Sequence, residues 1–348
     1  MKKIYPLLQF VRRKKIFVLL SIFLILITAS FFVPLKKTAQ NSPKNTSTLY
    51  AQQKIFNSKW DSQINKLGIQ ISYQQFKAEN KTKTLGDQHA YAHLFGELLY
   101  DKTGDSGLAV CDDAFQYGCF HGLMGKIIQI KGTSAVSEII RDCKKLNSTE
   151  AKIFRCEHAI GHGILGSFGY SLNDLKSALK VCSDMTNEIR LDICSGGIYM
   201  EYTFRPMQRD QSQIRQIDNG DLSEPCNQLD DVYKPDCYYQ QVAWWLYILP
   251  GDNQEKMLKI VEICNTLPRD QQITCARGLG NHLSIYLEDN YQEIVPLCNM
   301  LADKQKNSVC IRQAAYTLAN IYDFKDRADA VCASLISPDF EKCHQMYE

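Results

Sequence analysis

The stretch SLNDLKSALKVCSDMTNEIRLDICSGGIYMEYTF, residues 171–204, contains one complete repeating unit of the chain. Leucine and alanine recur in it at helical spacing behind Ser171, a residue type favoured at helix N-caps, and this first segment ends at Cys182. A polar segment follows, and a second apolar segment begins at Cys194. The pattern predicts two helices, A and B, joined by a turn with a cysteine on each side.

Cysteines mark the same unit along most of the chain. The 14 cysteines fall into local pairs whose members are 8 to 13 residues apart, and the second members recur every 33 to 43 residues. An even number of regularly spaced cysteines predicts disulfides, and the sequence has none of the CxxC knuckles of a zinc ribbon. The expected bridges are Cys111–Cys119, Cys143–Cys156, Cys182–Cys194, Cys226–Cys237, Cys264–Cys275, Cys298–Cys310 and Cys332–Cys343.

The length of the repeat decides the fold class. A repeat of 33 to 43 residues has the length of one helical hairpin, so the sequence predicts an all-α fold, an αα-hairpin repeat solenoid with about seven disulfide-stapled units. We expect it to occupy residues 84–348, behind a helical lead-in over residues 53–83. Each bridge closes a loop of about a dozen residues, which adds roughly 2–3 kcal/mol of stability by the chain-entropy estimate.

A family resemblance points to the same fold. AYAHLFGELLYDKTGDSGLAVC, residues 90–111, resembles a Sel1-type or tetratricopeptide-type repeat in its placement of alanine, glycine and tyrosine. One bridge per repeat is similar to the secreted, cysteine-rich Sel1-like proteins of bacteria. Those families are solenoids that mostly bind partners, so the resemblance implies a helical solenoid and a bacterial origin.

The N-terminus predicts a membrane anchor. Residues 1–15 contain six basic residues, and residues 16–35 form an uncharged apolar run. Twenty helical residues span about 30 Å, the thickness of a bilayer core. Basic residues ahead of the run place the tail in the cytoplasm and the remainder outside, so we expect a single-pass protein of the cell membrane. A cleaved signal peptide is the alternative, and either reading makes the chain beyond the linker at 36–52 extracytoplasmic.

Composition excludes several classes of function. The chain has 348 residues with a formal net charge of +2, which gives no electrostatic reason to expect a nucleic-acid partner. It has no GxSxG motif, no P-loop and no Rossmann fingerprint.

Histidines indicate a site in the first third of the array. His89 and His93 are four residues apart, as are His158 and His162, so each pair shares one helix face. His121 and His158 each follow the second cysteine of their unit by two residues. These five histidines belong to three successive B helices, which stand side by side in a solenoid. We therefore predict that they converge on one metal-binding or catalytic centre.

The type of ligand restricts the metal. Every cysteine is committed to a bridge, so a His-rich set suits Zn²⁺, Cu²⁺, or Fe or Mn with a carboxylate. Glu97, four residues after His93, is the candidate ligand or base for metal-assisted hydrolysis or oxidation, while Glu157 and Glu201 are further carboxylates near the site. HAIGH, residues 158–162, is not HExxH, which disfavours a zincin protease.

Other readings of the same residues stay open. The histidines could act as an acid–base pair without metal, or be packing residues bonded to Tyr91, Tyr117 or Tyr199. A non-enzymatic scaffold, which captures a protein or peptide on the concave face of the solenoid, is the competing function, and a structural envelope protein is a third. The sequence also predicts that His282 and His344 are structural or surface residues.

Overall fold

The computed structural model describes residues 46–146, 150–208, 215 and 221–347, in which helices are joined by turns and loops and no strand occurs. The α-helices are α1 Thr46–Leu67, α2 Ile69–Asn80, α3 Leu85–Thr103, α4 Gly118–Lys131, α5 Val136–Leu146, α6 Glu150–Phe168, α7 Leu172–Asp184, α8 Leu191–Gln208, α9 Lys234–Ile248, α10 Asn253–Thr266, α11 Arg269–Tyr286, α12 Ile294–Cys298, α13 Lys304–Asn320, α14 Lys325–Cys332 and α15 Asp339–His344. Short 3₁₀ helices occupy Gly104–Ala109, Thr133–Ala135, Cys226–Gln228, Asp231–Tyr233 and Glu288–Glu293. The prediction of an all-α fold is confirmed.

All seven predicted disulfides are present. Each joins cysteines 8 to 13 residues apart. In the unit at residues 171–204 the bridge links Cys182 near the end of α7 to Cys194 in the first turn of α8. Two units depart from this plan, because Cys111 follows a 3₁₀ helix and Cys226 begins one. The bridge therefore closes the turn of a hairpin even where the first helix is short.

The long second helices of successive hairpins pack against one another. Each of α3, α4, α6, α8, α9, α11 and α13 contacts the next in that order. Buried apolar side chains form one core that extends from Phe56 to Tyr347. Two of the first helices, α7 and α10, start at capping boxes in which Ser171 and Asp252 each accept a hydrogen bond from a backbone N–H three residues on.

Glycines set the spacing of the helices near the histidines. A Cβ at Gly122 of α4 would overlap the carbonyl oxygen of His93 on α3, and a Cβ at Gly197 of α8 would overlap that of His158 on α6. Because glycine has no side chain, the backbones approach to contact at these crossings. This close approach brings histidines on neighbouring helices within reach of each other.

The predicted membrane anchor, residues 16–35, and the basic tail before it lie outside the described residues. Within the described part of the chain, no helix is long and apolar enough to cross a membrane. Helix α1 begins at Thr46, inside residues 36–52, and α1 and α2 cover most of residues 53–83.

Candidate metal centre

The five predicted site histidines form one cluster. His89 and His93 lie on α3, His121 on α4, and His158 and His162 on α6, three helices that pack in sequence. The ring of His121 is at the centre, with its centroid 5.2 Å from those of His89, His93 and His162 and 5.4 Å from that of His158. Three helices that are well separated in sequence therefore supply imidazoles to one place.

Three of these side chains could hold a metal ion. One ring nitrogen from each of His89, His93 and His121 lies within 4.8 Å of the other two. Nε2 of His89 is 3.0 Å from Nε2 of His93. Nδ1 of His89 donates to the carbonyl oxygen of Phe115 at 2.9 Å, which leaves Nε2 of the neutral ring as the nitrogen with a free lone pair.

The carbonyl that orients His89 belongs to an unusual turn. Phe115, Gln116 and Tyr117 all have left-handed backbone conformations, with φ of 53°, 57° and 62°. A left-handed backbone conformation costs a non-glycine residue roughly 1–2 kcal/mol of conformational free energy. The turn lies between Cys111 and Cys119, whose bridge closes its ends. Strain of this kind is common at functional sites, where surrounding structure maintains it.

His121 is buried without hydrogen-bond partners. Its side chain is 3% exposed, and neither ring nitrogen has a partner among the described residues. A buried polar group without a partner costs roughly 1–3 kcal/mol, so such groups call for a specific explanation. A metal ligand meets that description, because a coordinate bond replaces the missing hydrogen bond.

His158 and His162 repeat the arrangement of the first pair. Their Nε2 atoms are 3.3 Å apart. Nδ1 of His162 donates to Oε2 of Glu201 at 3.1 Å, and the hydroxyl of Tyr170 donates to Oε1 of the same carboxylate at 2.6 Å. His158 forms a hydrogen bond with the backbone of Ile193. A carboxylate behind an imidazole is the usual outer partner of a metal-binding histidine.

Burial favours the neutral form of His89, His121 and His158. It lowers the pKa of His89 to about 4, against the opposing effect of its bond to Phe115. Burial, followed by the charges of the neighbouring histidines, lowers the pKa of His121 well below its ordinary value. Burial and the charge of His162 do the same for the pKa of His158. Imidazoles must be neutral to bind a metal, so these rings are in the ligating form at neutral pH.

A polar cavity of about 260 Å³ opens beside the cluster. His93, His121, His162 and Glu201 line it, and so does Glu97, the candidate catalytic carboxylate. Other lining residues are Gly122, Gly125, Lys126, Gln129, Gly166, Phe168, Gly169 and Tyr170. The cavity gives a small ligand access to at least three of the imidazoles.

The other predicted carboxylates have different positions. Glu201 is buried and bonded to His162, as described above, whereas Glu157 accepts a hydrogen bond from Nε of Arg190 at 3.3 Å. Sequence reasoning missed Tyr170 and Lys126. Tyr170 lies in the loop between α6 and α7, outside any helical period that could have indicated it.

The tyrosines proposed as packing partners make other contacts. The hydroxyl of Tyr199 donates to the carbonyl oxygen of Tyr233 at 3.0 Å. The ring of Tyr91 stacks on Phe56 with centroids 5.3 Å apart. These contacts weaken the reading in which tyrosine hydroxyls account for the buried histidines.

His282 provides a buried histidine outside the cluster. It lies on α11, is 2% exposed, and burial lowers its pKa from 6.5 to about 4. Between pH 6.5 and pH 4, His282 is protonated in the unfolded chain but stays neutral in the folded chain. The contribution of His282 to folding stability is therefore complete above pH 6.5 and is lost as the pH falls toward 4.

We expect His282→Leu to flatten the pH dependence of stability. A shift of about 2.5 pKa units corresponds to roughly 3 kcal/mol of unfolding free energy between pH 7 and pH 4. Urea denaturation of the parent and the variant at both pH values measures this difference. Parallel pH profiles for the two proteins would show that His282 ionises normally in the folded state.

Comparison of the chain with protein-family models, with curated proteins and with solved structures returned no match. Function therefore has to follow from the chemistry of the cluster itself. That chemistry consists of imidazoles from three adjacent helices beside a polar cavity.

Proposed function

We propose that this protein is a membrane-anchored, extracytoplasmic metal-binding protein that holds a divalent transition metal at His89, His93 and His121. Its stapled hairpins would form a Sel1-like solenoid, anchored by residues 16–35. Seven disulfides support the extracytoplasmic location, because disulfides persist in oxidising compartments.

One observation carries the metal proposal. His121 is buried, and neither of its ring nitrogens has a hydrogen-bond partner among the residues that the structure describes. A nitrogen of each of His89 and His93 lies within 4.8 Å of one of them. Imidazole nitrogens that bind one tetrahedral metal at bond lengths of about 2.0–2.1 Å lie about 3.3 Å apart, and at right angles about 2.9 Å apart. The 3.0 Å separation between His89 and His93 falls in that range.

The donor set favours particular metals. An all-imidazole set suits Zn²⁺ or Cu²⁺, whereas Fe²⁺ or Mn²⁺ would need a carboxylate such as Glu97. Three protein ligands leave a position open for water or substrate, as in catalytic zinc sites. An enzymatic role is part of this proposal: an ion held by the triad would supply Lewis-acid activation of a water, and Glu97, which lines the adjacent cavity, would be the base.

Removing one triad ligand is expected to weaken metal binding by about 10²- to 10³-fold. Structural zinc sites bind with about 10–16 kcal/mol through four ligands, or roughly 2.5–4 kcal/mol per ligand. The experiment compares full-length parent, His93→Gln and His121→Gln, each purified with its disulfides formed. Elemental analysis and calorimetric titration with Zn²⁺ then measure metal content and affinity.

His282→Gln is the matched control, because it also removes a buried, neutral imidazole from a long second helix. We expect this variant to retain the metal and its affinity. The proposal would be contradicted if the parent bound neither Zn²⁺ nor Cu²⁺. It would also be contradicted if His93→Gln, His121→Gln and His282→Gln all lost metal affinity equally.

A further inference from the structure

We propose that the cluster holds two metal ions, one at His89 and His93 and one at His158 and His162, with His121 supplying one ring nitrogen to each. This inference rests on the proposed function, since it adds a second ion to the first. It assigns a role to every histidine of the cluster, including His158 and His162, which do not belong to the triad of His89, His93 and His121.

The ring contacts include two overlapping groups of three that share His121. The first group is His89, His93 and His121, and the second is His121, His158 and His162. The groups also contact each other, since the centroids of His93 and His162 are 5.5 Å apart. In the first group the centroid separations are 4.6, 5.2 and 5.2 Å. In the second, formed by His121, His158 and His162, they are 5.4, 5.2 and 5.0 Å. Imidazoles bound to one tetrahedral metal have ring centroids about 5.2 Å apart, given metal–nitrogen bonds of about 2.0–2.1 Å. The separations in the second group lie within 0.2 Å of this value, and in the first group only the His89–His93 separation is shorter.

The second pair presents its lone pairs inward. Nδ1 of His162 donates to Glu201, so Nε2 is the ring nitrogen whose lone pair can bind a metal ion. Nε2 of His158 faces it at 3.3 Å, which leaves Nδ1 for the hydrogen bond to the backbone of Ile193. Two facing lone pairs repel each other unless a proton or a cation lies between them. The separation of 3.3 Å matches two ligands of one tetrahedral ion.

Glu201 favours positive charge at the second pair. The residue is 8% exposed, and its carboxylate accepts hydrogen bonds from both His162 and Tyr170. A buried carboxylate needs positive charge nearby, and a metal held by His162 supplies it. The bonds from two directions also hold the ring of His162 in one orientation. At the first pair, the carbonyl of Phe115 holds the ring of His89 in one orientation in the same way.

His121 favours two bound ions over one, because two ions would give each of its ring nitrogens a partner. Both of its buried ring nitrogens lack hydrogen-bond partners among the described residues, and a single metal would satisfy one of them. Binding an ion at each nitrogen requires His121 to release its ring proton to solvent as the second metal–nitrogen bond forms. The resulting imidazolate carries a negative charge between two cations and lowers their mutual repulsion.

The first test is stoichiometry. Titration of the full-length apoprotein with Cu²⁺ is expected to give two bound ions per chain, with one remaining in His158→Gln and two in His282→Gln. Copper ions joined by an imidazolate couple magnetically, so the EPR signal should integrate to fewer spins than the bound copper. Glu201→Gln preserves the hydrogen-bonding shape and should weaken only the second ion, by about 10- to 100-fold.

The outcomes separate the two proposals. One ion per chain that is lost in His93→Gln and kept in His158→Gln would overturn the second site while the proposed function stands. No bound ion in the parent would overturn both. Two ions with fully counted, uncoupled spins would overturn the shared ligand. If His158→Gln fails to fold, Glu201→Gln carries the test alone, since equal weakening of both ions would contradict two distinct sites.

Discussion

Reduction of all seven disulfides is expected to unfold the helical repeats at room temperature. Each bridge closes a loop of 8 to 13 residues, which contributes about 2.5–3 kcal/mol by the chain-entropy estimate. Together the bridges amount to about 20 kcal/mol, more than the roughly 5–15 kcal/mol by which native domains are stable. Circular dichroism before and after reduction and alkylation measures the loss of helix.

Removal of a single bridge is the control, because it measures how much stability one disulfide contributes. The double variant Cys182→Ala, Cys194→Ala should lose only about 2–3 kcal/mol of unfolding free energy and remain folded. A fully reduced chain that keeps its helical signal and melts cooperatively would contradict the expectation. It would show that apolar burial between successive second helices is sufficient without the bridges.

Gly122→Ala is expected to destabilise the protein by about 3 kcal/mol or more, near the upper end of effects from overpacking. The added methyl group would overlap the backbone of His93, which cannot rotate away as a side chain can. Helices α3 and α4 would have to separate, and His93 and His121 would move apart with them. Urea denaturation measures the loss of stability, and Zn²⁺ titration measures the loss of the metal site.

Gly125→Ala is the matched control, one turn further along α4. Apart from its own helix backbone and chain neighbours, a Cβ at Gly125 would meet no atom of the described residues within 4 Å, so the methyl group enters open space at the cavity wall. Alanine is favoured over glycine inside a helix by up to about 1 kcal/mol, so this variant should be slightly more stable than the parent. Equal effects of the two substitutions would show that the close approach of α3 and α4 does not limit stability.

Much of the site could be predicted from local spacing. Residues four apart share a helix face, and the cysteine repeat aligns His121 with His158 on successive second helices. Those two regularities were enough to predict that five histidines converge. Ser171 as an N-cap followed in the same way, because capping depends on residues within one helical turn.

The organisation within the cluster could not be predicted in that way. Glu201 bonds His162 from 39 residues away, and the carbonyl of Phe115 bonds His89 from 26 residues away. Neither contact follows from a period, since each depends on the angle and distance at which two helices cross. Glu157 and Glu201 looked alike as candidate carboxylates, yet one contacts Arg190 and the other contacts the cluster.

The sequence by itself determined the helical class, the seven bridges and the set of histidines, because these depend on spacing along the chain. Only the tertiary structure decided that His121 lies at the centre, buried with both nitrogens lacking partners, and that the other four form two facing pairs. The physical reason for this arrangement is that helix backbones are in contact at Gly122, where α4 meets α3, and at Gly197, where α8 meets α6. That contact sets which ring atoms meet, and a linear pattern of residues does not specify it.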